Sequence, residues 1–239
     1  GMYKMGLDEE VIKYISSANI ACGFHAGDPV WMQRTVKLAE AHGVSIGAHP
    51  SFPDLVGFGR RNMNISTEEL RADILYQVGA LRAFTKNKEL QHVKPHGAMY
   101  NMAVKDQALA HSICDVLMEI DSNIILIALH GSKWIDIAKN TGTRVAKEIF
   151  SDRALNPDGT LVDRSNPEAV LHDINQVTDR TLKMIIEGRV ETITGKEIEV
   201  QADSVCIHSD TPNAVQIASN LHSELLKTGT NIRPLNELV

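Results

Sequence analysis

Cysteine is scarce: Cys22, Cys114 and Cys206 are the only three in 239 residues, widely spaced and without a CxxC pair. An odd, scattered set argues against a disulfide framework or a cysteine-built zinc site, and it fits a reducing cytoplasm. No apolar run approaches the roughly 18 residues that span a bilayer. No basic start followed by an apolar stretch reads as a signal peptide. Basic residues are in deficit, with Lys+Arg 24 against Asp+Glu 30 and a formal net charge of −6. That balance leaves no electrostatic footprint for nucleic acid or an anionic membrane, so neither is expected as a partner. The chain also lacks a GxxxxGK[ST] phosphate loop, a GxGxxG turn and a GxSxG nucleophile elbow. A nucleotide, if one is used, is therefore held outside a standard phosphate loop.

The composition itself is that of an ordinary globular domain, 43% hydrophobic and 23% charged, with aromatics at 5%. Short apolar runs at Asn19–Phe24, Val44–Ala48, His92–Lys94, Ile124–Leu129, Val145–Phe150 and Ser204–Ile207 read as strands buried on both faces. Helices lie between them. Asp28-Pro29 is an N-cap with proline at the first helical position, and Gly43 closes that helix. Ser66-Thr67-Glu68-Glu69 is a capping box for a helix toward Phe84. Asn166-Pro167 opens another helix that Gly188 ends, and Thr211-Pro212 opens the last, toward Leu226. Alternation of this kind predicts a parallel sheet with helices outside. Residues 189–201 alternate apolar and polar around Thr194-Gly195, which predicts a β-hairpin insertion. No Pro/Gly/Ser-rich linker divides residues 1–239, which read as one domain.

The chemistry sits just beyond the strand ends, at His25, His49, His96, His130, the pair Asp152-Arg153, and His208. The carboxyl ends of parallel strands converge on one face, where ligands bind. A single histidine after a strand is more often packed or solvated than functional; five of ten at one level form a candidate site, with His130 its weakest member. His42, His111, His172 and His222 fall on predicted helices, and His92 opens a strand at the opposite face. Lys94, ahead of a proline at a strand end, needs a carboxylate partner or an anionic ligand if buried. Asp28 has a capping role available, and Asp210 is placed to orient His208 or bind a ligand. Cys22 and Cys206 read as filling. The 50–62 segment is a long loop in which Arg60 or Arg61 offers a bidentate clamp for carboxylate or phosphate. Histidines with aspartates can hold a water-activating divalent metal or do acid–base work without one, and residue chemistry alone leaves both open.

Ser17-Ala18-Asn19-Ile20-Ala21-Cys22-Gly23-Phe24-His25-Ala26-Gly27-Asp28 resembles the signature of the LamB/YcsF family. So do Gly47-Ala48-His49-Pro50-Ser51-Phe52-Pro53-Asp54, Gly57-Phe58-Gly59-Arg60-Arg61, Val93-Lys94-Pro95-His96-Gly97-Ala98-Met99-Tyr100-Asn101, Phe150-Ser151-Asp152-Arg153 and Val205-Cys206-Ile207-His208. The resemblance implies an α/β fold, a seven-stranded β/α barrel related to polysaccharide deacetylases. It implies ATP-dependent opening of 5-oxo-L-proline (pyroglutamate) to L-glutamate as one subunit of a 5-oxoprolinase, with subunits B and C as partners. It assigns His25, His49, His96, Asp152 and His208 to the catalytic core, and Lys94, Arg60, Arg153, Asn101, Asp28 and Asp210 to substrate binding. ATP is then a co-substrate, and a divalent metal is a candidate cofactor by analogy with the deacetylases.

Two departures stand out. Family members usually open with a strand reading approximately Asp-Leu-Asn-x-Asp-x-Gly-Glu, whereas this chain enters at Tyr3-Lys4-Met5-Gly6 after Gly1-Met2. The barrel is therefore expected to lack its first strand, and an open edge invites self-association. Second, His208-Ser209-Asp210 stands where His-Gly-Asp is usual. Two other readings compete: a stand-alone metal-dependent amidase or carbohydrate deacetylase, and an inactive or purely ligand-binding barrel.

Overall fold

The computed structural model describes residues 7–209 and 212–239. Six strands form one parallel sheet: β1 (Ser17–Ala21), β2 (Ser45–His49), β3 (His92–Val93), β4 (Ile125–Leu129), β5 (Arg144–Phe150) and, after the hairpin β6 (Arg189–Glu191) and β7 (Glu197–Glu199), β8 (Ser204–Cys206). Their order is β1-β2-β3-β4-β5-β8, so the first five strands lie side by side in chain order and β8 follows β5. The sheet is curled into a half-barrel. Eight α-helices are found among the described residues: α1 (Asp8–Val11), α2 (Pro29–Ala41), α3 (Thr67–Arg82), α4 (Gly97–Ala103), α5 (Gln107–Ile120), α6 (Lys133–Asn140), α7 (Ile174–Ile186) and α8 (Ala214–Lys227). None is long and apolar enough to cross a membrane.

Local chemistry explains the ends. Asp28 caps α2 by accepting from the Trp31 N–H at 2.8 Å, with Pro29 at the first position. Ser66 and Glu69 form a reciprocal capping box on α3. Asp106 caps α5 by accepting from Ala108 and Leu109 N–H groups. β4 is apolar and buried at all five positions, as a central parallel strand must be. The main core joins Val36 of α2, Ile74 and Val78 of α3, Ile113 and Leu117 of α5, Trp134 of α6 and the inner residues of the strands.

Three expectations shift. β1 stops at Ala21 rather than Phe24, because Gly23 and Gly27 take positive φ (99° and 81°) and the Gly23 N–H bonds back to Ala26 O. Asn166-Pro167 does not start a helix. Val170 instead bridges to Arg153, and Asp173 caps α7 through the Gln176 N–H, so His172 precedes that helix. Thr211 lies outside the described residues, and α8 begins at Ala214.

One cross-strand row sets the spacing of the sheet. Asn19 of β1 pairs with Gly47 of β2, which pairs with His92 of β3. The His92 ring passes over Gly47, and its Nε2–H donates to Asn19 Oδ1 at 2.9 Å. A Cβ on Gly47 would lie 2.0 Å from that nitrogen. Gly47→Ala is expected to lower unfolding free energy by about 1–3 kcal/mol, read from urea denaturation, because the ring must leave its place. Burial pushes the His92 pKa from 6.5 down to about 3, so the unfolded chain binds the extra proton between those values. Stability from this residue is full above pH 6.5 and is lost on acidification toward pH 3, by at most about 1.4 kcal/mol per pH unit. His92→Gln should flatten the acid limb of a stability-against-pH curve by that amount.

Candidate active site

The turn after β1, the end of β2 and the first turn after β3 bring three imidazoles together. His25 is carried by the Gly23–Gly27 turn, His49 is the last residue of β2, and His96 precedes α4 with its N–H donated to Pro50 O at 2.7 Å. His25 and His96 stack with ring centroids 3.8 Å apart and planes 4° from parallel. His49 meets both edge-on, at 5.5 and 4.8 Å. His49 donates from Nδ1 to Lys94 O, and His96 donates from Nε2 to Phe58 O at 2.9 Å. Burial holds His25 and His49 well below the usual histidine range and brings His96 to about 4, so all three rings are neutral at pH 7.

The 50–62 loop packs over these rings. Phe58 sits edge-on to His25 and His96, and Gly59 at φ 66° comes so close that a Cβ there would lie 2.8 Å from the His96 ring. Asp54, buried, holds the loop by accepting from the Gly57 N–H at 2.9 Å and from Arg61 Nε at 2.7 Å. Arg61 thus braces the loop, whereas Arg60 lies over the Phe58 ring at 4.8 Å and lines the cavity.

Lys94 finds the carboxylate its position demands. Its Nζ donates to Glu148 of β5 at 2.6 Å and lies 3.0 Å from Cys206 Sγ, while the Tyr100 hydroxyl donates to the other Glu148 oxygen at 3.1 Å. Burial works against the ammonium, yet Cys206 and Glu148 beside it raise its pKa. Burial also raises Cys206 to about 12, so that thiol stays protonated and Glu148 is the counter-ion. Cys22, likewise near 12 through burial, is an inert core thiol. Sequence reading missed Glu148; its one signal was a carboxylate inside an apolar strand together with the unmatched Lys94.

His208, also on the cavity wall, donates from Nδ1 to both oxygens of buried Asp152, at 2.9 and 3.0 Å. Its ring stacks on Phe150 at 5.8 Å. This pairing fixes the tautomer and leaves Nε2 able to accept a proton, the arrangement of a general base oriented by a carboxylate. Asp210 lies outside the described residues. Arg153 is buried and spends donors on Ala169 O and Val162 O, and burial lowers its pKa to about 10. Asn101, on α4, lines the cavity, while Asp28 is the cap of α2. His130 is set apart: its Nδ1 accepts from the Gln201 N–H, and it lines a separate cleft of about 180 Å³.

His25, His49, His96, Arg60, Lys94, Arg153 and His208 therefore share the wall of one cavity of about 910 Å³. That cavity also runs along both outer strands, β1 and β8, which have no strand between them among the described residues.

Known proteins are similar to this chain along nearly its whole length. The chain is 52% identical over 241 residues to the A-type subunit of 5-oxoprolinase from Thermococcus onnurineus (strain NA1), covering 100% of this chain and 94% of that one. It is also 52% identical over 240 residues to the A-type 5-oxoprolinase subunit of Clostridium beijerinckii, with the same coverage. The crystal structure of a lactam utilization protein from Thermus thermophilus superimposes with a TM-score of 0.91 at 44% identity, over 98% of this chain and 94% of that one. The LamB/YcsF family model matches residues 1–239, and the chain belongs to that family.

Proposed function

We propose that this chain is the A-type subunit of a 5-oxoprolinase, opening 5-oxo-L-proline to L-glutamate with partner subunits B and C and with ATP as co-substrate. The observation that carries the reading is full-length identity of about half to A-type subunits of 5-oxoprolinase. The site supports it: an aspartate-oriented histidine and three neutral imidazoles line one cavity large enough for a small cyclic amide.

A lactam amide is stabilised by resonance, so its opening is coupled to another reaction. Transfer of the γ-phosphoryl group to the lactam oxygen releases ADP and activates the ring carbon. Water then adds at that carbon with its proton passing to His208 Nε2, and the C–N bond breaks as the nitrogen takes a proton. The resulting acyl phosphate is hydrolysed by a second water to glutamate and phosphate. Arg60 is placed on the cavity wall to pair with the substrate carboxylate or the phosphoryl group, and Asn101 to hydrogen-bond the ring.

The same reading completes the sheet. A seventh strand fits between β1 and β8, where Ser17–Ala21 and Ser204–Cys206 line one cavity with unpaired edges among the described residues. Such a strand brings backbone hydrogen bonds to both edges and, with the pattern Asp-Leu-Asn-x-Asp-x-Gly-Glu, carboxylates to the mouth.

Glutamate release from 5-oxoproline in the presence of ATP and the partner subunits tests the function. His208→Ala is expected to lower kcat by about 10²–10⁴-fold, with Asp152→Asn lowering it in the same direction. Wild-type turnover that needs neither ATP nor partners would point instead to a stand-alone amidase. Extending the chain ahead of Met2 with the acidic strand pattern should raise Tm, and an unchanged Tm would remove the seventh strand.

A further inference from the structure

We propose that His25, His49 and His96 bind one divalent transition-metal ion of the zinc type, with a further coordination position open to the cavity. Two backbone carbonyls decide which ring nitrogens carry protons. A carbonyl only accepts, so His49 donates from Nδ1 to Lys94 O and His96 donates from Nε2 to Phe58 O. In neutral rings the opposite nitrogens, His49 Nε2 and His96 Nδ1, are then bare lone pairs, and they face each other across 3.0 Å. Two lone pairs at that separation repel. Either a third proton or a metal cation resolves the contact.

The third ring decides between them. His25 is 2% exposed, and its buried Nδ1 has no hydrogen-bond partner among the described residues. A proton shared by His49 and His96 leaves that nitrogen unsatisfied, at a cost of about 1–3 kcal/mol for a buried polar group. One ligand nitrogen from each of the three rings lies within 4.8 Å of the other two, close enough to converge on a single ion. Anchoring of the second ring nitrogen by a carbonyl is the outer-shell arrangement of metal-bound histidines, here present in two of the three rings. Three imidazoles and no carboxylate favour zinc, cobalt or nickel over magnesium or calcium. The neighbouring Lys94 charge is matched by Glu148 at 2.6 Å. All three rings line the 910 Å³ cavity, so the open position faces it. An ion held there supplies Lewis acidity toward a carbonyl oxygen or a bound water. The site rests on the three rings and stands separately from the lactam reading.

The test is titration of chelator-treated full-length protein with Zn(II) and, separately, with Co(II). The expected result is about one equivalent bound by equilibrium dialysis and mass spectrometry, with the intense visible bands of low-coordinate Co(II). His25→Ala, His49→Ala and His96→Ala should each weaken binding by about 100-fold or more, while His130→Ala leaves it unchanged. Anomalous diffraction from zinc-soaked wild-type crystals should place the ion between the three rings, a readout that does not depend on any variant folding. Absence of stoichiometric binding, an ion located elsewhere, or equal affinity in the three histidine variants overturns the proposal. Zinc bound at the three rings in a protein that does not turn over 5-oxoproline upholds the site and removes the functional reading instead.

Discussion

Lys94 and Glu148 are a lysine and a glutamate sealed inside the curled sheet, with side chains 5% and 1% exposed. Neither charge is tolerable there alone, since breaking such a pair costs about 3–5 kcal/mol. The constraint spreads outward from them. Glu148 belongs to β5, Lys94 follows β3, Tyr100 lies on α4 and Cys206 closes β8, so satisfying one carboxylate positions four elements. The Lys94 carbonyl anchors His49, and two residues further on the backbone turns into α4 with His96 at its cap. The histidines are thus placed by the same few residues that neutralise the barrel interior.

Close backbone approach does the rest. Gly59 O accepts from the Ala98 N–H at 2.8 Å, and a Cβ on Gly97 would lie 2.4 Å from that same oxygen. The 50–62 loop is in this way clipped to the start of α4, and Phe58 reaches the His25 and His96 rings from it. Glycine is required at these two positions because a side chain would push the loop off the site. Asp54 then holds the loop's own turn closed through Gly57 and Arg61. A long, irregular segment becomes a wall of the cavity through backbone contacts and one buried carboxylate.

How much of this was legible in the sequence differs between elements. Strand-end histidines were readable because parallel strands share a direction, so residues at equal register positions gather at one mouth, as His25, His49, His96 and His208 do. Pairing was not readable. His208 takes its carboxylate from Asp152, 56 residues away, and that partnership depends on β5 and β8 lying side by side. Glu148 is legible only once the curled sheet brings β5 within reach of the end of β3, where its carboxylate meets Lys94. Helix starts were legible where capping chemistry was strong, as at Ser66 and Asp28, and misread at Asn166-Pro167, where tertiary pairing of Val170 with Arg153 overrides the local signal.

Two helices far apart in the chain lean on one another: α1 packs on α8, and His222 of α8 donates from Nδ1 to Tyr14 O across a sequence separation of 208. A chain leaving the ribosome offers α1 long before its partner exists. Domains fold as units, and contacts between distant segments form late. The wall that joins α1 to α8 is therefore completed only after α8 emerges, and the cavity between β1 and β8 takes its final shape late in synthesis, however early β1 is made.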